Sequence, residues 1–262
     1  MKARFMAAAL AAAAACGIAV ITAVPASADP ITPKIIGGKP ADQVYSFMVS
    51  LQSSGSHFCG GSLISEEWVL TAAHCVVDGR PEQVKMRIGT KTWAQGGEEA
   101  QAAEIKVHPD YDGQKAGADI ALVKLAAKAT SKPIQLADKA DPGTESRIIG
   151  WGQTCPTRGC GEVPDELQQL DTKVLEADKC TDIDGKVELC TDNPNQNSGA
   201  CYGDSGGPQI VKSGEEWLLI GDTSRSGNGD ATCATGPSIY TSVPAYRDWV
   251  TQTTGGGGTD LR

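Results

Sequence analysis

No CxxC pair and no His-x-x-x-His spacing occurs in this chain of 262 residues, although it has nine cysteines and three histidines. The spacings of common structural zinc sites are therefore missing. An excess of positive charge is missing too: Lys and Arg number 23 against 32 Asp and Glu, a net charge of −9. That balance repels nucleic-acid phosphates and anionic membrane surfaces, so neither is an expected partner. Beyond Val24 there is no apolar run long enough to span a bilayer, which leaves the globular classes. A hydrophobic content of 40% is ample for one large core or two smaller ones.

What is present begins as an address. Lys2 and Arg4 precede an apolar, Ala-rich run from Ala7 to Val24, and Ala26-Ser27-Ala28 is a small-residue cleavage site. The expectation is a signal peptide over 1–28 and a secreted, extracellular product. An uncleaved anchor has a similar start, but nothing after Val24 stops transfer. Cys16 follows three alanines, as in a lipoprotein site, yet the apolar run continues past it. If Cys16 leaves with the signal, eight cysteines remain, and an even set in an exported chain implies disulfides whose pairing spacing alone does not choose.

From Ser46 onward, short runs rich in Val, Ile and Leu (SFMVSLQ, HFCGGSLI, WVLT, VKMRIG, AEIKV, IALVKL) are separated by Gly, Pro, Asp and Asn clusters. The pattern resumes after the polar stretch 129–143 with SRIIGW, LQQLDTKVL, KVELC, PQIV, WLLIG and SIYTSV. Many short strands without intervening helical periods predict an all-β sandwich or a pair of barrels. One helix is expected over about 243–252, where Val243, Tyr246, Trp249 and Val250 share a face. The Gly-rich residues 255–262 read as a flexible tail.

Three separated segments hold the parts of an activated nucleophile: TAAHC around His74, ADIALVKL around Asp119 and GDSGGP around Ser205. A serine hydroxyl is a poor nucleophile at neutral pH. It needs an imidazole to take its proton and a carboxylate to orient that imidazole. Taken singly, each has a plain alternative: a structural histidine, a buried acceptor in a strand, an ordinary glycine loop. Together with IIGG at Ile35, and with VHPDY, IGWG and Tyr240-Thr241, these strings resemble the trypsin/chymotrypsin family over nearly all of Ile35 to Thr251.

The resemblance implies two packed six-stranded antiparallel β-barrels with the site between them and a C-terminal helix behind, the first barrel over about 35–135 and the second over about 145–242. It implies a serine endopeptidase acting on proteins or peptides, with His74 as general base and acid, Asp119 as its orienter and Ser205 as nucleophile. The backbone N–H groups of Gly203 and Ser205 would form the oxyanion hole. Activation would follow cleavage after Lys34 by another protease. Loss of the propeptide 29–34 would free Ile35, whose ammonium would pair with Asp204. The family also suggests Cys59–Cys75, Cys180–Cys190 and Cys201–Cys233. That leaves Cys155–Cys160, which departs from the usual bridges. No cofactor and no metal is expected, protein inhibitors fit the class, and a monomer is the family's default.

Specificity does not carry over with the chemistry. Where a trypsin-like enzyme places Asp, six residues before the nucleophile, this chain has Gly199, followed by Ala200. Ser226 and Ser238 fall where the family usually has wall glycines. Small to medium uncharged residues are therefore expected at the cleaved position, unless Asp222 or Asp230 reaches into the pocket. Arg225, between Ser224 and Ser226, replaces an aromatic residue, and its functional reading is a preference for acidic side chains further along the substrate. The pair Glu98-Glu99 lacks a calcium-ligand spacing, and DIDG at Asp182 reads as a turn. Two other readings are kept: a catalytically inactive binding protein on the same fold, and a quality-control protease of another lineage, which would not need Asp204 and IIGG.

Overall fold

The computed structural model of the chain describes residues 35–161 and 163–255. The expected signal peptide, the propeptide with Lys34, and tail residues 256–262 lie outside these. The strands in chain order are β1 (Lys39–Pro40), β2 (Met48–Ser53), β3 (Ser56–Ser65), β4 (Trp68–Thr71), β5 (Lys85–Ile88), β6 (Glu98–Val107) and β7 (Ala121–Leu125). They continue as β8 (Gln135–Leu136), β9 (Glu145–Gly150), β10 (Gln168–Leu175), β11 (Glu188–Thr191), β12 (Pro208–Ser213), β13 (Glu216–Ser226) and β14 (Ser238–Ser242). Each apolar run read from the sequence overlaps one of these strands, and the short β1 and β8 fall outside the runs.

The first barrel closes in the order β2-β3-β4-β7-β6-β5, all neighbours antiparallel. Its inner face is filled by Val49, Leu51, Leu63, Val69, Met86, Ile88 and Val123, all fully buried. Each such side chain contributes about 1.5–3 kcal/mol of transfer free energy. Alternation also decides what the acidic pair on β6 does, because successive strand residues face opposite ways. The Glu98 carboxylate accepts from the backbone N–H groups of Thr130 and Ser131, whereas Glu99 accepts from Arg87 at 2.6 Å.

The second barrel runs β10-β11-β14-β13-β12-β9 and closes through β9 on β10. β1 extends it beside β10, and β8 adds a short parallel pairing to β13. Ile35, Ile148, Val174, Leu189, Ile220 and Tyr240 form one of its buried clusters. All four disulfides join the expected partners: Cys59–Cys75, Cys155–Cys160, Cys180–Cys190 and Cys201–Cys233.

A one-turn helix α1 (Ala73–Val76) follows β4 and carries His74. The terminal helix α2 spans Arg247–Thr254, starting later than the pattern suggests, because the chain first winds a 3-10 turn over Pro244–Tyr246. Its end is a left-handed Gly255 at φ 76°, the common glycine stop. Val243, Tyr246 and Val250 are buried as the periodicity requires, and Trp249 packs against His108 with ring centroids 4.9 Å apart.

The two barrels meet without side chains at one point. The Gly60 N–H donates to the Ser205 carbonyl at 2.7 Å. A Cβ on Gly60 would stand 2.7 Å from the Gly207 Cα, and one on Gly206 (φ 76°) would stand 2.2 Å from the Thr71 Oγ1. Only glycine permits this approach.

Candidate active site

α1 brings His74 to the barrel interface, and Asp119, just before β7, meets it there. The Asp119 carboxylate accepts from His74 Nδ1–H at 2.8 Å, from the His74 backbone N–H at 2.9 Å and from the Ser224 hydroxyl at 2.6 Å. Thr241 Oγ1–H donates to the Asp119 carbonyl at 2.8 Å. Burial pushes the Asp119 carboxyl up, but the hydrogen bonds and charge of His74, with the Ser224 hydroxyl, outweigh it and hold the group below the ordinary value. Asp119 is thus an anion fixed on the imidazole's Nδ1 side, which leaves Nε2 as the basic nitrogen.

Ser205 shares one cavity of about 260 Å³ with His74. In the turn around it, the Asp204 N–H donates to Cys201 O at 2.9 Å and the Gly206 N–H to Thr223 O at 2.9 Å. The alternate N–H groups, those of Gly203 and Ser205, have no protein acceptor among the described residues. Gly203 takes φ 99°, a left-handed setting that suits glycine. Two neighbouring donors left open beside a serine and an imidazole are what an oxyanion requires.

That turn is held by a histidine to which the sequence reading assigned no role. His57 Nε2 lies 2.9 Å from the Gly203 carbonyl, and Nδ1 lies 2.9 Å from Ser50 Oγ. Burial pushes the His57 imidazole down to about 4, against the pull of the carbonyl. The ring is therefore neutral near pH 7, with Nε2–H donating to Gly203 and Nδ1 accepting from the Ser50 hydroxyl. Its place in HFCGG, two residues before Cys59, was the available signal.

Asp204 is buried beneath the same turn. Its two oxygens accept from the Gly152 N–H at 2.8 Å and the Cys201 N–H at 2.9 Å. Burial pushes its carboxyl up to about 7 despite both bonds. No cation reaches it among the described residues. Ile35 is itself buried, and the Ile36 carbonyl accepts from the Gly199 N–H at 2.9 Å.

The cavity is lined by Ala200, Ser224, Arg225, Ser226 and Ser238, and also by Thr223 and Tyr202. Gly199 lies one layer behind, where a Cβ would stand 3.7 Å from the Ser238 Oγ, and its φ of 148° is one that side chains resist. Of the two acids that were candidates for the pocket, Asp222 does not line it. It is buried with neither oxygen partnered, and burial, then the charge of Asp119, raises its carboxyl well above the ordinary range. Asp230 does line the cavity, but its Oδ1 accepts from the Thr232 N–H and its Oδ2 from the Thr235 hydroxyl.

Arg225 is not a free cation. Its guanidinium meets both oxygens of Glu188, at 2.6 and 3.0 Å, and donates to the Asp182 carbonyl at 2.7 Å. The Glu188 side chain is 0% exposed, and its remaining lone pairs accept from the Gly117 and Asp184 N–H groups. The acidic-substrate reading of Arg225 thus meets a charge already neutralised inside the protein. Asp182, at φ 52°, turns the chain so that its carbonyl faces this pair.

Comparison with known proteins agrees with this geometry. The Trypsin family model matches residues 35–250. Hypodermin-B of Hypoderma lineatum is 33% identical over 233 residues, covering 84% of this chain and 87% of that protein. Trypsin of Sarcophaga bullata is 34% identical over 224 residues (80% and 85%), and trypsin theta of Drosophila melanogaster 33% over 231 (83% and 85%). Two closed six-stranded barrels, a buried acid on the imidazole beside a serine, and a match spanning the folded chain lead to one conclusion: the protein belongs to the trypsin/chymotrypsin family of serine proteases.

Proposed function

We propose that this chain is a secreted endopeptidase that works through an acyl-enzyme on Ser205, is made as a zymogen, and cuts after small or medium uncharged residues. The observation that carries the reading is the pair of open N–H groups on Gly203 and Ser205 beside His74 in one cavity. The Ser205 hydroxyl attacks the scissile carbonyl and its proton passes to His74 Nε2. The carbonyl oxygen becomes an anion between the two N–H groups, and the protonated imidazole returns the proton to the departing amine. Water then repeats the sequence on the ester. Asp119 stabilises the imidazolium throughout.

Activation by cleavage after Lys34 rests on Asp204. A fully buried carboxylate whose pKa is pushed up to about 7 lacks a cation, and the ammonium of a freed Ile35 would supply one and hold the Gly203 turn in place. An activating protease that cuts after lysine is therefore the first expected partner, with protein inhibitors and protein substrates after it. Secretion and action as a monomer without a cofactor complete the reading.

The uncharged preference rests on Gly199 and on the serines lining the cavity. An arginine or lysine head inserted there finds no buried carboxylate to pair with, since Asp222 does not line the cavity and Asp230 is exposed, its oxygens engaged by Thr232 and Thr235. Desolvating it would cost several kcal/mol, more than its methylenes recover. The test is mass-spectrometric mapping of cuts in a denatured protein mixture by the chain beginning at Ile35, with Ser205→Ala as control. Serine-dependent cuts after small or apolar residues support both parts. Cuts after Arg or Lys keep the triad and overturn the pocket reading, and the absence of cuts favours the inactive homologue.

A further inference from the structure

Besides His74, three charged residues line the cavity: Arg225, Asp230 and Arg158. The first is neutralised by Glu188, and the second is an anion whose oxygens accept from the Thr232 N–H and the Thr235 hydroxyl. Arg158 differs. Among the described residues it has no carboxylate partner, and its guanidinium carbon stacks 4.5 Å from the Tyr202 ring centroid.

The stack is held on both sides. The Tyr202 hydroxyl donates to the Ala231 carbonyl at 2.6 Å, and Tyr202 directly precedes Gly203 of the serine turn. Arg158 sits inside the short loop closed by Cys155–Cys160. The Gln153 side chain ties that loop by donating to Gly161 O at 3.1 Å and accepting from Gly159 N–H at 3.2 Å, and Cys233 N–H donates to Pro156 O at 2.8 Å. A cation stacked on an aromatic face and carried on a clipped loop loses little freedom when it meets an anion. Arginine's planar fork also suits a carboxylate.

We propose that Arg158 is a specificity-determining residue that reads an aspartate or glutamate side chain in the substrate next to the scissile bond. The inference rests on the endopeptidase reading but adds a second determinant to the uncharged primary pocket. It also runs against the protein's overall field: a net charge of −9 repels acidic peptides at long range, so a preference for them requires a local cation.

The test uses quenched fluorescent peptides of one core sequence, with Glu or Gln at each position flanking the cleaved bond. The readout is the ratio of kcat/KM for Glu over Gln peptides. For the unaltered enzyme the ratio is expected to reach about fivefold at one flanking position and to shrink with salt. It should fall to about one in Arg158→Gln and below one in Arg158→Glu; Arg158 is exposed, so neither change threatens folding. The same peptides are titrated by fluorescence anisotropy against Ser205→Ala, with and without Arg158→Glu. A Glu preference in binding that Arg158→Glu abolishes, with no cleavage by the unaltered enzyme, would support Arg158 and remove the endopeptidase reading. Cleavage or binding with a ratio that the Arg158 substitutions leave unmoved would overturn the inference.

Discussion

Two buried acids of the interior, Asp119 and Asp222, are treated in opposite ways. Asp119 comes from the first barrel and is surrounded by donors: a backbone N–H and ring N–H from His74 and a hydroxyl from Ser224. Asp222, on β13 of the second barrel, is more deeply buried, 1% exposed against 7%, and has no partner for either oxygen. One is held ionised and the other driven towards its neutral form, within the same interior. Burial pushes both carboxyls up; the donors and the charges around each decide whether that push is overcome. The first barrel delivers a finished electrostatic unit, while the second carries two buried acids, Asp204 and Asp222, that no cation among the described residues reaches.

Substitutions at each acid separate the two cases. The largest effect is expected from Asp119→Asn, which keeps the shape but loses the anion: kcat should fall by about 10⁴-fold with the fold intact by circular dichroism. Asp204→Asn in the chain beginning at Ile35 should lower kcat/KM by about 10³-fold, because the ammonium loses its counter-charge and the turn its anchor; an unchanged rate would remove Asp204 from activation. Arg225→Ala leaves Glu188 buried without its cation and should cost about 3 kcal/mol in denaturant unfolding, most of which the added change Glu188→Leu restores.

The His57 contribution should appear as a pH slope. Its ring holds a proton less readily when folded (about 4) than its ordinary 6.5, so its stabilisation is present above about pH 6.5 and is lost as the pH falls towards 4. That loss is about 3 kcal/mol, and His57→Gln should flatten the profile of unfolding midpoints between pH 7 and 4. The smallest change sharpens the comparison most. Asp222→Val should raise stability at pH 7 by about 2 kcal/mol with little change in kcat. A loss of stability would mean that Asp222 has a partner after all.

The contrast also marks how far the sequence could be read. His74, Asp119 and Ser205 stand in strings whose local order carries their chemistry, and the strands around them alternate or run apolar in ways that composition exposes. Arg225 and Glu188 meet across 37 positions, and nothing local to either predicts the other. Asp222 sits in an apolar strand segment, where only the packed neighbours tell whether its oxygens find donors. The late start of α2 came from backbone geometry: the side-chain face was right, but the first turn, around Pro244, wound more tightly.

The glycine contact between Gly60 and the serine turn has a mechanical consequence. Because the Ser205 carbonyl is bonded to a strand of the other barrel with no side chain between them, any drift of the halves along this seam would carry Ser205 away from His74. Under the proposed mechanism the molecule is barred from breathing along its midline while it works. Admission of a polypeptide, release of its fragments and any throttling by other proteins must be managed at the rim, by the loops that frame the cleft.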